Sequence, residues 1–183
     1  ISQGTVGKPV TAERLREIFE ELIDLGAACL DLVTPTHFIP VILEALGEEP
    51  WPVPVVWNCG GYEKPETLKL LEGKVQVYLP DLKYAMPEPA GKYSAAADYF
   101  DWASEAILEM FRQTGPYRME NGQLKSGVLI RHLLLPGELE NTRRVIDWVA
   151  ETFRPGDVLF SLMSQYTPQP GAAGNLARQV TKA

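Results

Sequence analysis

With 183 residues, 45% of them apolar, the chain is long enough for one globular domain with a full core. Seventeen lysines and arginines against twenty-four aspartates and glutamates leave a net charge of −7, which argues against a general nucleic-acid surface. No apolar run approaches the roughly 20 residues that cross a bilayer, and Ile1 opens onto Ser2, Gln3 and Gly4 rather than a leader, so a cytoplasmic protein without a membrane partner is expected.

Thr11 predicts the N-cap of a helix running to Gly26, with Leu15, Ile18, Phe19, Leu22 and Leu25 as its apolar face. A strand over 28–33 and a short helix through VILEAL follow. A second strand, 53–57, runs into Asn58-Cys59-Gly60-Gly61-Tyr62, and a helix over PETLKLLEG leads to a third strand, 75–79, ending at Pro80-Asp81-Leu82-Lys83. The longest helix is predicted over 93–114, with Tyr99, Ala103, Ala106, Ile107 and Met110 facing inward. A fourth strand over 127–135, a helix over 138–153 and a fifth strand over 157–163 complete the series. PEPAG and QPGAAGN read as loops, and the residues from 171 to 183 as a tail or last helix behind a single domain over 1–170. Cys29 and Cys59 fall in apolar runs and read as buried free thiols.

Five apolar strands separated by helices predict an α/β protein with a parallel sheet buried on both faces. Periodicity alone leaves open whether that sheet curves into a barrel. In either form the carboxyl ends of parallel strands share one rim, where ligands bind. Those ends carry Thr34, Thr36 and His37, then Asn58, Cys59 and Gly60, then Asp81 and Lys83, and finally Ser161 to Gln165. Arg131 and His132 sit inside the fourth strand and must point to opposite faces, because side chains alternate. A cation taken out of water needs an anionic partner, here Asp81 or a ligand carboxylate or phosphate. The sequence contains no Walker loop, Rossmann glycine fingerprint, nucleophile elbow or metal-binding Cys/His cluster.

In this order, VTPTHF, WNCGGYE, VYLPDLKY, SAAADY with EMFRQTG, LIRHLLLPG and SLMSQYTP closely resemble a branch of the radical S-adenosylmethionine proteins related to the pyruvate formate-lyase activating enzymes. The resemblance runs from Ile1 to about Pro168 and implies a partial (β/α)6 barrel of the TIM type, with about five of six βα units present. It implies S-adenosylmethionine and a [4Fe–4S] cluster as cofactors of the intact protein, and cleavage of the first by the second to a 5′-deoxyadenosyl radical. A glycyl radical enzyme as partner protein and a flavodoxin or ferredoxin as reductant are implied with them. In the family, ISQG directly follows a cysteine loop that ligates the cluster. Those three cysteines are not in this sequence, so the chain as given is expected to hold no cluster and to be inactive alone.

The same resemblance assigns Thr34-Pro35-Thr36 to the place of a Gly-Gly-Glu stretch that receives the methionine amino group. Asn58 and Cys59 match positions that reach the amino-acid end of the cofactor, Asp81 and Lys83 a pair near its ribose and carboxylate, and Arg131 a strand arginine close by. Gln165 falls where the activating enzymes place a histidine, and His37, Gly60 and His132 complete the implied rim; no catalytic residue is assigned. Two other readings stand beside this one: a non-catalytic α/β binding or scaffold domain, and an enzyme using His37 or His132 with Asp81 as acid–base groups.

Overall fold

The structure is a computed structural model that describes residues 7–180. The opening ISQG segment and the last three residues of the predicted tail lie outside the described residues. Helix α1 spans Ala12–Asp24, and the Thr11 hydroxyl accepts from the Arg14 N–H at 3.2 Å, as the cap reading requires. Its apolar face is narrower than expected. Phe19 is buried edge-on against Trp51, but Leu22 and Leu25 are 43% and 84% exposed. Strand β1 is Leu30–Val33, so Cys29 lies before the strand and is exposed, whereas Cys59 is buried; both are free thiols.

Helix α2 (Ile39–Leu46), strand β2 (Val55–Cys59), the short helix α3 (Pro65–Leu68) and strand β3 (Val77–Pro80) follow near their predicted places. The long helix divides into α4 (Pro87–Ser94) and α5 (Tyr99–Thr114). Ala95, at φ 52°, turns the chain between them, and PEPAG opens α4 because Pro87 stands in its first turn, where a missing N–H costs nothing. Strand β4 (Arg118–Glu120) has no counterpart among the predicted elements. It forms a hairpin with β5 (Gln123–Leu133) across Asn121-Gly122, both at positive φ, a pair that fits the twist of antiparallel strands. Helix α6 (Leu139–Thr152) and strand β6 (Leu159–Met163) end the core, and a 3-10 turn, Gly174–Ala177, stands where a last helix was one expectation.

The strands form one six-stranded, mostly parallel sheet in the order β1-β2-β3-β5-β4, with β6 also paired to β5. This corrects the expected partial (β/α)6 barrel with five of six units. A barrel of that type is a ring of parallel strands with two neighbours each. Here β5 pairs with β3, β4 and β6, the β4–β5 pair is antiparallel, and β1 and β6 each have one partner among the described residues.

Two-sided burial is corrected as well. The parallel strands follow chain order across the sheet, so right-handed crossovers carry their helices to the same face. Leu30, Val55, Trp57, Cys59, Tyr78, Val128 and Ile130 pack there with Ala103, Ala106, Ile107 and Met110 of α5. Their neighbours one residue away, Asp31, Val33, Val56, Asn58, Leu79, Leu129, Arg131 and Leu133, point to the other face and stay half-buried or exposed. Val77, beside Val56 on that face, is an exception at 3% exposed; otherwise the described chain builds its core on one side of the sheet and leaves the other uncovered among the described residues.

Candidate functional site

The uncovered face carries a polar row. Arg131 donates from Nε to Asp81 Oδ1 at 2.9 Å and from Nη2 to Asn58 Oδ1 at 2.8 Å, and Asn58 reaches Asp31 at 3.4 Å. Side chains from β1, β2, β5 and the end of β3 therefore meet in one line. Arg131 and Asp81 keep 25% and 27% of their side chains exposed, so the pair is partly screened and still open to a third partner. Beside it lies a cavity of about 300 Å³ lined by Asp81, Lys83, Tyr84, Arg131, Leu133, Leu135 and Met163. Lys83 is exposed and takes part in no ion pair among the described residues.

The segment Asp81-Leu82-Lys83 is held by its backbone. The Asp81 N–H donates to Cys59 O at 3.0 Å and the Leu82 N–H to Arg131 O at 2.8 Å. The Tyr99 hydroxyl shares its proton between the carbonyls of Asp81 (2.6 Å) and Gly60 (2.9 Å), and accepts from the Lys83 N–H at 3.1 Å. From α6, Asn141 donates to Lys83 O at 3.0 Å and accepts from the Ala85 N–H at 2.9 Å. With every peptide group of the segment engaged, the Asp81 and Lys83 side chains start from a fixed base.

His132 completes that brace from the core face. It is 1% exposed, with Nδ1 2.6 Å from Leu82 O and Nε2 2.9 Å from the Thr142 hydroxyl. A carbonyl only accepts, so Nδ1 carries the proton and Nε2 accepts from Thr142. Burial pushes the imidazole below its ordinary value near 6.5, against the opposing pull of the Leu82 carbonyl and Asp81. A depressed folded-state value gives stability that is present above about pH 6.5 and lost as pH falls through the folded value. The melting temperature should therefore drop more between pH 7.5 and 5 in the wild type than in His132→Gln. Equal slopes would show that His132 does not titrate on unfolding.

At the β1 tip, Thr34 holds φ 55°, a region costly for a β-branched residue, and its N–H still donates to Asn58 O at 2.8 Å. That turn sends Thr36–Phe38 into a 3-10 helix, from which the Thr36 hydroxyl donates to Glu63 at 2.7 Å. Glu63 is a residue the sequence reading did not single out. It is 8% exposed, and burial pushes its carboxyl up while Thr36, His37 and the Cys59 thiol partly offset this. Only the Gly60-Gly61 turn, which folds the chain back toward β1, could have flagged it.

Of the predicted rim residues, Asn58, Asp81 and Arg131 meet directly, with Lys83 beside them. Thr36 joins them indirectly through Glu63, next to Cys59 and Gly60. Cys59 and His132 belong to the core face, and burial pushes the Cys59 thiol up, which suppresses thiolate chemistry. Thr34 and Gln165 are exposed on loops and His37 is exposed on the 3-10 helix, and Gln165 follows β6 without a side-chain contact to the Arg131 group. His132 faces away from Asp81's carboxylate, so the two do not form an acid–base pair.

Three or more His, Cys, Asp or Glu side chains placed to hold a metal ion do not occur among the described residues. No helix there is long and apolar enough to cross a membrane. No family model matches the chain. It is similar to the curated protein "Uncharacterized protein MJ0674" of Methanocaldococcus jannaschii, at 29% identity over 136 residues, covering 74% of this chain and 36% of that protein. The chain spans about a third of the relative's length.

Proposed function

We propose that the strand-end rim binds S-adenosylmethionine, as one part of a radical S-adenosylmethionine protein related to the pyruvate formate-lyase activating enzymes. The observation that carries this reading is the Asn58–Arg131–Asp81 row with Lys83 at its side, on a face the helices leave open. A guanidinium and an ammonium suit the ligand carboxylate, and Asp81 offers an acceptor to ribose hydroxyls or an ammonium. Leu133, Leu135 and Met163 supply apolar wall for the rest of the molecule.

A [4Fe–4S] cluster does not fit the residues present. The two cysteines lie thirty positions apart, one exposed before β1 and the other buried in β2, and no further thiolate accompanies them. The function proposed for this chain is therefore cofactor binding. A glycyl radical partner and a flavodoxin or ferredoxin donor belong to the whole protein and rest on the sequence resemblance.

Titration calorimetry tests the reading with S-adenosylmethionine and with 5′-methylthioadenosine, which lacks the amino-acid end. Saturable binding of the first, at least about tenfold tighter than the second, is expected. Absence of heat up to about 5 mM ligand would sink it. It would leave the second reading, a non-catalytic scaffold, which is favoured by the fact that Arg131 is already partnered by Asp81 and Asn58.

A further inference from the structure

On the far side of Lys83 the rim continues into a second cleft of about 340 Å³, walled by Gly60, Tyr62, Glu63, Lys83, Ala96 and Tyr99. Its chemistry differs from that around Arg131. The Glu63 carboxylate in its wall has the Thr36 hydroxyl and the Cys59 thiol as donors and feels the charge of His37, but no Lys, Arg or His stands within ion-pair distance of it among the described residues. A buried carboxylate without a directly paired cation lowers stability, and such groups gather where a ligand completes them. Lys83, across the cleft, is equally without a counter-ion. The Lys83 ammonium lies over Gly60, where a Cβ would stand 3.6 Å from Nζ, at ordinary contact distance.

The third component is an aromatic surface. Tyr62 is 48% exposed, yet its ring lies parallel to Tyr99 with centroids 5.8 Å apart, and its hydroxyl donates to Asp98 at 2.9 Å. An exposed ring fixed at both its face and its tip offers apolar area at little entropic cost.

We propose that this cleft binds a free α-amino acid, with its ammonium on Glu63, its carboxylate on Lys83 and its side chain against Tyr62. A volume near 340 Å³ suits one amino acid and is at the small end for ligand clefts. As a binding site the cleft stands on its own geometry. As the place of the substrate, next to a cofactor on the other side of Lys83, it rests on the reading proposed above.

The test is titration with L-phenylalanine, L-leucine, phenethylamine and 3-phenylpropionate. At least one amino acid should bind, with L-phenylalanine at least about tenfold tighter than either analogue that lacks one charge. Glu63→Gln keeps an acceptor for Thr36 and removes a buried charge. It should melt no lower than the wild type, lose at least about tenfold in amino-acid affinity, and change S-adenosylmethionine affinity by less than about twofold. No amino-acid binding at about 10 mM, or equal affinity in folded Glu63→Gln, overturns the inference. Amino-acid binding without S-adenosylmethionine binding supports the cleft and overturns the cofactor reading; the converse overturns the cleft alone.

Discussion

Replacing Gly61 with alanine should lower the melting temperature by about 10–15 °C, equivalent to roughly 3–5 kcal/mol for a chain of this size. Gly61 holds φ 80°, where a side chain is strained whatever the space. The space is also missing. A Cβ at this position would overlap the carbonyl oxygen of Asp81, approach its carbonyl carbon to 3.2 Å and stand 2.9 Å from Tyr99 Oη. The obstacle is backbone, so relief requires moving the strand end and the tyrosine hydroxyl that ties Gly60, Asp81 and Lys83 together. Gly60→Ala is the control. Its φ is ordinary and its new Cβ meets only the flexible end of Lys83, so a loss below about 1 kcal/mol is expected. Equal melting temperatures for the two variants would show that the β2–β3 tip yields easily.

The second large effect belongs to Arg131→Met, which should reduce S-adenosylmethionine affinity by about a hundredfold, near 3 kcal/mol. Methionine retains an apolar stem of similar length but removes both links that join Asn58 to Asp81. Part of the cost is the Asp81 carboxylate left without its cation. Because both groups are about a quarter exposed, water recovers some of that, and a stability loss of only about 1–2 kcal/mol is expected. Binding should therefore suffer more than folding. A double-mutant cycle with Asp81→Asn separates the pair's mutual coupling from contact with the ligand. An Arg131→Met protein that binds as the wild type does would make the row a structural tie.

Much of this arrangement was legible because strands and helices repeat with different periods. The Thr11 cap, the strand tips at Thr34, Asn58 and Asp81, and the opposed directions of Arg131 and His132 all follow from local pattern. What the pattern missed has separate causes. Helical periodicity runs straight through 93–114, and only the left-handed Ala95 divides it. Asn121-Gly122 is a hairpin signal that strand–helix alternation alone does not weigh, and it carries β4 and the antiparallel pair that excludes a simple ring of βα units. Cys29 is exposed although its sequence neighbours are apolar, because the apolar run begins before the strand does. Glu63 was hidden for a different reason: the direction of a side chain beyond a glycine turn depends on φ values that no period encodes.

Because the helices cover one side of the sheet only, adjacent residues along each strand belong to different tasks. Trp57 anchors the interior and Asn58 the polar row; Ile130 and His132 lie inward while Arg131 looks out. Two alphabets are thus interleaved letter by letter on a common backbone. Altering one of them redraws specificity while the hydrophobic scaffold stays untouched, which makes this molecule a suitable host for a pocket of new design.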